Sequence, residues 1–92
     1  GEIGHAVGRK LRAVAATRQV LCITHLPQVA VFGDSHFVVS KAVQKNRTLT
    51  RIAPVSGEAR AEEVARMLGG KDLTPVTLEH ARKLLETVPR TA

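Results

Sequence analysis

The sequence predicts an α/β segment with elements in the order α-β-α-β-β-α-α, half of an α/β layer rather than a complete nucleotide-binding fold. Three observations predict it. Apolar residues recur at helical spacing near the start of the chain and twice in its last third. Val20-Leu-Cys-Ile23 is a short, unbroken apolar run containing β-branched residues, which reads as a strand buried on both faces. Two further β-prone runs flank Lys45-Asn46-Arg47 and read as a hairpin.

Taken in order, Ile3, Ala6, Val7, Leu11, Val14 and Ala15 line one side of an amphipathic helix over about residues 3–17, with Arg9, Lys10 and Arg12 mostly on the other. Thr17 and Arg18 link it to a strand over 19–24. Pro27 suits the first turn of a short helix reaching Phe32, which the turn-rich Gly33-Asp34-Ser35 stops. Residues 36–43 and 48–52 are the hairpin strands, Leu49 alternating with Thr48 and Thr50, and Pro54 ends the second. Ser56 is placed to cap a helix with Glu58 in its first turn and Ala61, Val64, Ala65 and Leu68 on one face, and Gly69-Gly70 terminates it. Thr74-Pro75 opens the last helix. Its apolar stripe is Leu78, Ala81, Leu84, Leu85 and Val88, and Pro89 closes it.

At 92 residues the chain holds one domain at most, and the helical pattern already running at residue 3 is expected of a segment of a longer polypeptide. A hydrophobic content of 43% excludes a disordered chain. No apolar run approaches the roughly 18 residues that cross a bilayer, so no membrane partner is expected. The single cysteine, Cys22, lies in the expected buried strand and reads as a structural thiol of a cytosolic protein without disulfides. The net charge is +6, all of it in residues 1–56, where eight Lys/Arg face two acids. That asymmetry permits a phosphate-bearing partner, with Arg9, Lys10, Arg12, Lys41, Lys45, Arg47 and Arg51 as candidate DNA contacts. With no Trp or Tyr, there is no aromatic platform for stacking bases.

No metal site is expected. His5, His25, His36 and His80 fall on four different elements, and Cys22 with His25 lacks two further ligands at usual spacing. Ser35, Ser40 and Ser56 show no strained elbow for a nucleophile. Gly69-Gly70-Lys71 follows a helix instead of opening one, which makes it a cap rather than a phosphate loop. His25 remains. It stands at the carboxyl end of the expected strand, where open α/β sheets bind ligands. An imidazole there can bridge a phosphate oxygen and an attacking water, which suits phosphoryl transfer. Neither a phosphate cradle nor a magnesium-binding acid accompanies it, so the residues describe a half-site.

Gln19-Val-Leu-Cys-Ile-Thr-His-Leu-Pro-Gln-Val-Ala30 resembles the switch-histidine segment of the bacterial RecN family, an SMC-like branch of the ABC-type ATPases. The resemblance continues through 36–41, 65–70 and 77–85, and residues 1–11 resemble the helix just after that family's D-loop. It implies a partial P-loop ATPase head lobe, the C-terminal segment of such a head, over residues 1–92. His25 would be the switch (H-loop) histidine of ATP hydrolysis, Thr24 would support its loop, and Gln28 would lie in the following helical turn. ATP and Mg2+ would be bound by the intact head, with none expected on this segment alone, which should hydrolyse nothing by itself. The implied partners are the remainder of the head, a second head in a homodimer, and DNA. The implied role is recombinational repair of double-strand breaks in the bacterial cytoplasm, at the nucleoid. The competing readings are a non-catalytic basic DNA-binding or assembly module, and the equivalent segment of another SMC- or ABC-type ATPase.

Overall fold

A computed structural model describes residues 2–69 and 72–90. Its elements run α1 (Glu2–Ala15), α2 (Pro27–Ala30), β1 (His36–Gln44), β2 (Arg47–Val55), α3 (Gly57–Gly69) and α4 (Pro75–Glu86). The order is therefore α-α-β-β-α-α, a mixed helical chain with one two-stranded antiparallel sheet, consistent with a partial α/β domain.

The expected strand over 19–24 is absent, and this corrects the sequence reading. Leu21 is 88% and Ile23 92% exposed, and Cys22 is an exposed free thiol rather than a buried one. The reason is pairing. A doubly covered strand needs neighbours that accept its backbone hydrogen bonds, and among the described residues β1 and β2 pair only with each other.

The hairpin forms as expected and is longer. Lys45 and Asn46 both take positive φ, 48° and 63°, which is the two-residue turn whose twist matches antiparallel strands. Arg47 is thus the first residue of β2, opposite Gln44, and not part of the turn. Pro54 does not end the strand. It sits opposite Phe37 and one residue before the last pair, His36 with Val55, on a strand with a free edge where a missing N–H costs nothing.

The core lies where α3 and α4 meet the end of α2. Val31, Phe32, Val64, Ala65, Ala81 and Val88 form one buried cluster, with Leu68, Leu78, Leu84 and Leu85 packed against it. These are the stripes expected on the last two helices. Thr74 caps α4 reciprocally with Thr77. α3 is entered through Gly57 at φ +56°, a left-handed residue, and the Ser56 carbonyl accepts from the Arg60 amide. Gly70 and Lys71 lie outside the described residues. Between helices, Arg82 pairs with Glu58.

α1 has the expected span but buries a different face. Gly4 and Gly8 are its buried residues, whereas Ile3 (83%), Val7 and Val14 remain exposed. The close approach explains it. A Cβ built on Gly8 would stand 2.2 Å from Cδ2 of Phe32, so only glycine lets the helix sit on that ring. His5 meets the same ring edge-on, with centroids 5.0 Å apart.

The chain exposes 7164 Å². A folded monomer of its 9.9 kDa ordinarily exposes about 5,200 Å². The excess is apolar in part: Ile3, Leu21, Ile23, Phe37, Val39, Val43, Ile52 and Val76 are each more than half exposed.

Substituting Gly8→Ala should destabilise the chain by about 1–3 kcal/mol, because the forced shift of Phe32 outweighs the gain in helix propensity, which is under about 1 kcal/mol. A denaturation midpoint that rises instead would show that α1 does not rest on Phe32.

Candidate functional site

His25 lies in the connection between α1 and α2, exposed and two residues ahead of Pro27. The local geometry follows from its neighbours. The Thr24 hydroxyl oxygen accepts from the Leu26 amide at 3.0 Å, a side-chain turn that brackets His25. Leu26 is extended, at φ −97° and ψ 117°, as the residue before a proline must be. Its carbonyl accepts from the amides of Val29 (3.1 Å) and Ala30 (3.0 Å), which starts α2. Gln28 is half-buried in that turn, against Gly4 of α1.

Beyond α2 the chain makes a sharp exit through residues 31–35, and three guanidinium groups converge on its carbonyls. Arg60 of α3 donates to the carbonyls of Gly33 (2.7 Å) and Ala30 (3.2 Å). Arg12 of α1 donates to the Phe32 carbonyl (2.7 Å) and the Asp34 carboxylate (3.1 Å), and also reaches the Pro89 carbonyl. Arg90 donates to the carbonyls of Gly33 (3.2 Å) and Leu85 (2.9 Å). Burial, then the neighbouring Arg90 charge, holds Arg60 below the usual guanidinium value, and Asp34 opposes this. Burial and then Arg12 lower Arg90 in the same way. Arg60 and Arg90 both stay charged at neutral pH.

The candidate DNA contacts do not gather into one patch. Arg12 is engaged with the loop just described. Arg9 and Lys10 are exposed on α1 about 100° apart around the helix axis. On the hairpin, pairing puts Arg51 with Ser40 and Arg47 with Gln44 on one face, and Lys41 with Thr50 on the other, while Lys45 occupies the turn. A shallow depression lined by Ile3, His5, Ala6, Arg9 and Gln28 leaves His25 out. Among the described residues no group of His, Cys, Asp or Glu is placed to hold a metal ion. No helix among them is long and apolar enough to cross a membrane.

Sequence reasoning missed Arg60 and Arg90. No local spacing marks them, since their carbonyl partners in the loop lie 27 to 57 residues away along the chain.

The fold defines a partial α/β domain with an exposed histidine in a loop fixed by the protein's own hydroxyl and carbonyl groups. Over 86 residues it is 41% identical to the DNA repair protein RecN of Bacillus subtilis strain 168, covering 94% of this chain and 15% of that protein. It is 46% identical over 86 residues to the DNA repair protein RecN of Xylella fastidiosa strain Temecula1, with the same coverage. It is 42% identical over 90 residues to that of Treponema pallidum strain Nichols, covering 98% of this chain and 16% of that protein. No family model matches the chain. The chain belongs to the RecN family of DNA repair proteins, and it spans about 15% of the length of the curated relatives it matches.

His36, the first residue of β1, adds a pH dependence. Its Nδ1 is buried without a hydrogen-bond partner, as is Nε of Arg60. Burial pushes the imidazole below its ordinary 6.5, the Arg60 charge pushes it further, and Glu63 acts in the opposite sense. The folded state therefore binds this proton less readily than the unfolded chain. Its contribution to stability is complete above about pH 6.5 and is lost as the pH falls through that value toward the lowered one. Denaturation midpoints should fall between about pH 7 and pH 5, and His36→Gln should flatten that part of the profile. An unchanged slope in the variant would assign the effect to another group.

Proposed function

We propose that this chain is the segment of a RecN-type ATPase head that supplies the switch histidine, His25, to ATP hydrolysis in recombinational DNA repair. One observation supports it above others. A Thr24-bracketed, exposed imidazole lies in a chain 41–46% identical to RecN proteins. In this reading one ring nitrogen of His25 donates to a terminal phosphate oxygen while the other accepts from the attacking water. Thr24 holds the loop that aims the ring.

The described residues do not by themselves fit ATP or Mg2+. No carboxylate cluster accompanies His25, and α2 is a single turn, too short to act as a phosphate-binding helix. The remainder of a P-loop head, and a second head in a homodimer, would complete the site, and DNA would be held by that assembly in the cytoplasm. Mg2+, when bound there, neutralises charge on the phosphates. The unpaired, apolar 19–24 run fits this reading, because Val20, Leu21 and Ile23 have the composition of a strand that pairs with others.

The alternative of a basic DNA-binding module draws less support. Its cations are divided between both hairpin faces, the turn and α1, and Arg12 is already engaged.

In the full-length protein carrying this segment, His25→Ala should lower kcat for ATP about 100-fold or more while nucleotide binding persists. The 92-residue chain alone should not hydrolyse ATP. A His25→Ala protein that turns over at the parent rate would remove the catalytic role.

A further inference from the structure

His25 hangs on a very short support. Leu26, its neighbour, is tied by its carbonyl to the amides of Val29 and Ala30, so the loop moves with the one-turn helix α2. One turn is far below the length at which a helix is stable by itself. Its orientation must come from groups outside it. At its far end Ala30 is held a second time: its carbonyl accepts from Arg60, which also binds the Gly33 carbonyl. A single residue, Ala30, thus connects Leu26 by its amide to Arg60 by its carbonyl. Arg60 directly precedes Ala61 on α3, where Ala61, Val64 and Ala65 are buried. Arg12 and Arg90 reach the same exit loop, but at Phe32, Asp34 and Gly33, past the helix end.

We propose that Arg60 is the positioning residue of the His25 loop, its planar guanidinium bridging the Ala30 and Gly33 carbonyls so that α3 fixes the turn that aims His25. The catalytic part of this rests on His25 acting in ATP hydrolysis; the clamp itself does not. Both bonds leave one terminal nitrogen, Nη2, whose two N–H groups the planar guanidinium holds in fixed directions. A lysine ammonium on its flexible stem has no such fixed pair, so Arg60→Lys keeps the charge and loses the directed bridge.

Hydrogen exchange and ATP turnover, both on the full-length protein, test the proposal. In Arg60→Lys the amides of residues 29–31 should exchange roughly 10-fold faster or more, with those of Val64 and Ala65 unchanged. Turnover should fall about 10- to 100-fold at unaltered KM for ATP, since misplacement of about 1 Å suffices for such a loss. The double variant His25→Ala/Arg60→Lys should be no slower than His25→Ala alone. Equal protection of residues 29–31 in the parent, Arg60→Lys and Arg60→Gln overturns the clamp. A double variant slowed by the full Arg60→Lys factor overturns the positioning role, because Arg60 would then act on the fold and not through His25. If His25→Ala alone has no effect on turnover, the proposed catalytic role fails, while the exchange experiment still decides whether Arg60 holds the loop.

Discussion

The convergence of Arg12, Arg60 and Arg90 on the carbonyls of residues 30–33 is the interaction on which this structure depends. These groups come from α1, α3 and the segment after α4, so one stretch of backbone joins three separate parts of the chain. Hydrogen bonds to a charged donor contribute about 1.5–3 kcal/mol each in favourable settings, and these act partly out of water. Their cost is mutual repulsion. Burial and neighbouring guanidinium charge lower both Arg60 and Arg90, and Asp34 partly offsets this while also pairing with Arg12. The three are not equivalent: Arg12 serves the Phe32 carbonyl and Arg90 the Leu85 carbonyl, whereas the Gly33 carbonyl accepts from both Arg60 and Arg90, and the Ala30 carbonyl accepts from the Gly33 amide as well as from Arg60.

The same loop sets what α1 can do. Phe32 packs inward on the core and presents its ring to Gly8, so the helix approaches through its glycines and not through its larger apolar residues. Ile3, Val7 and Val14 are then turned away from any partner among the described residues. The hairpin repeats the pattern. Phe37, Val39, Val43, Ile52 and Pro54 share one face of the two-stranded sheet by register, and that face is open. A chain exposing 7164 Å² where about 5,200 Å² is usual keeps its small core at α3, α4 and the end of α2, and leaves both of these apolar surfaces uncovered.

What the sequence made legible follows from range. Features set within a few residues were readable: the helical stripes of α3 and α4, the Thr74-Pro75 start of α4, the Asn46 turn, and the Thr24-His25-Leu26-Pro27 loop. Features set by distant partners were not. The run Val20–Ile23 has strand composition, yet composition cannot supply the neighbouring strands that a covered position requires. The apolar stripe of α1 obeys the helical period, but whether it is buried depends on Phe32, 24 residues beyond Gly8. Arg12 reads as a surface cation from its spacing, and only the folded chain brings Phe32, Asp34 and Pro89 to it. For Arg60, nothing within a helical turn distinguishes it from Arg66, which makes an ordinary local ion pair with Glu63.

These observations bear on how a catalytic group is divided between segments of a protein. In the role proposed for His25, a histidine must be aimed to within a fraction of an ångström, which ordinarily calls for a rigid element directly behind it. Here the residues before His25 are an unpaired, exposed run, so rigidity from that side is missing within this chain. The residues after it belong to a single turn whose far end is clamped to α3 by Arg60. Support therefore reaches His25 from the C-terminal side alone, through Leu26 and Ala30. In the proposed head, pairing of residues 19–24 with strands from elsewhere would add the second support. His25 would then be held from both sides only when the head is assembled, which links the aim of the imidazole to assembly rather than to the folding of this segment.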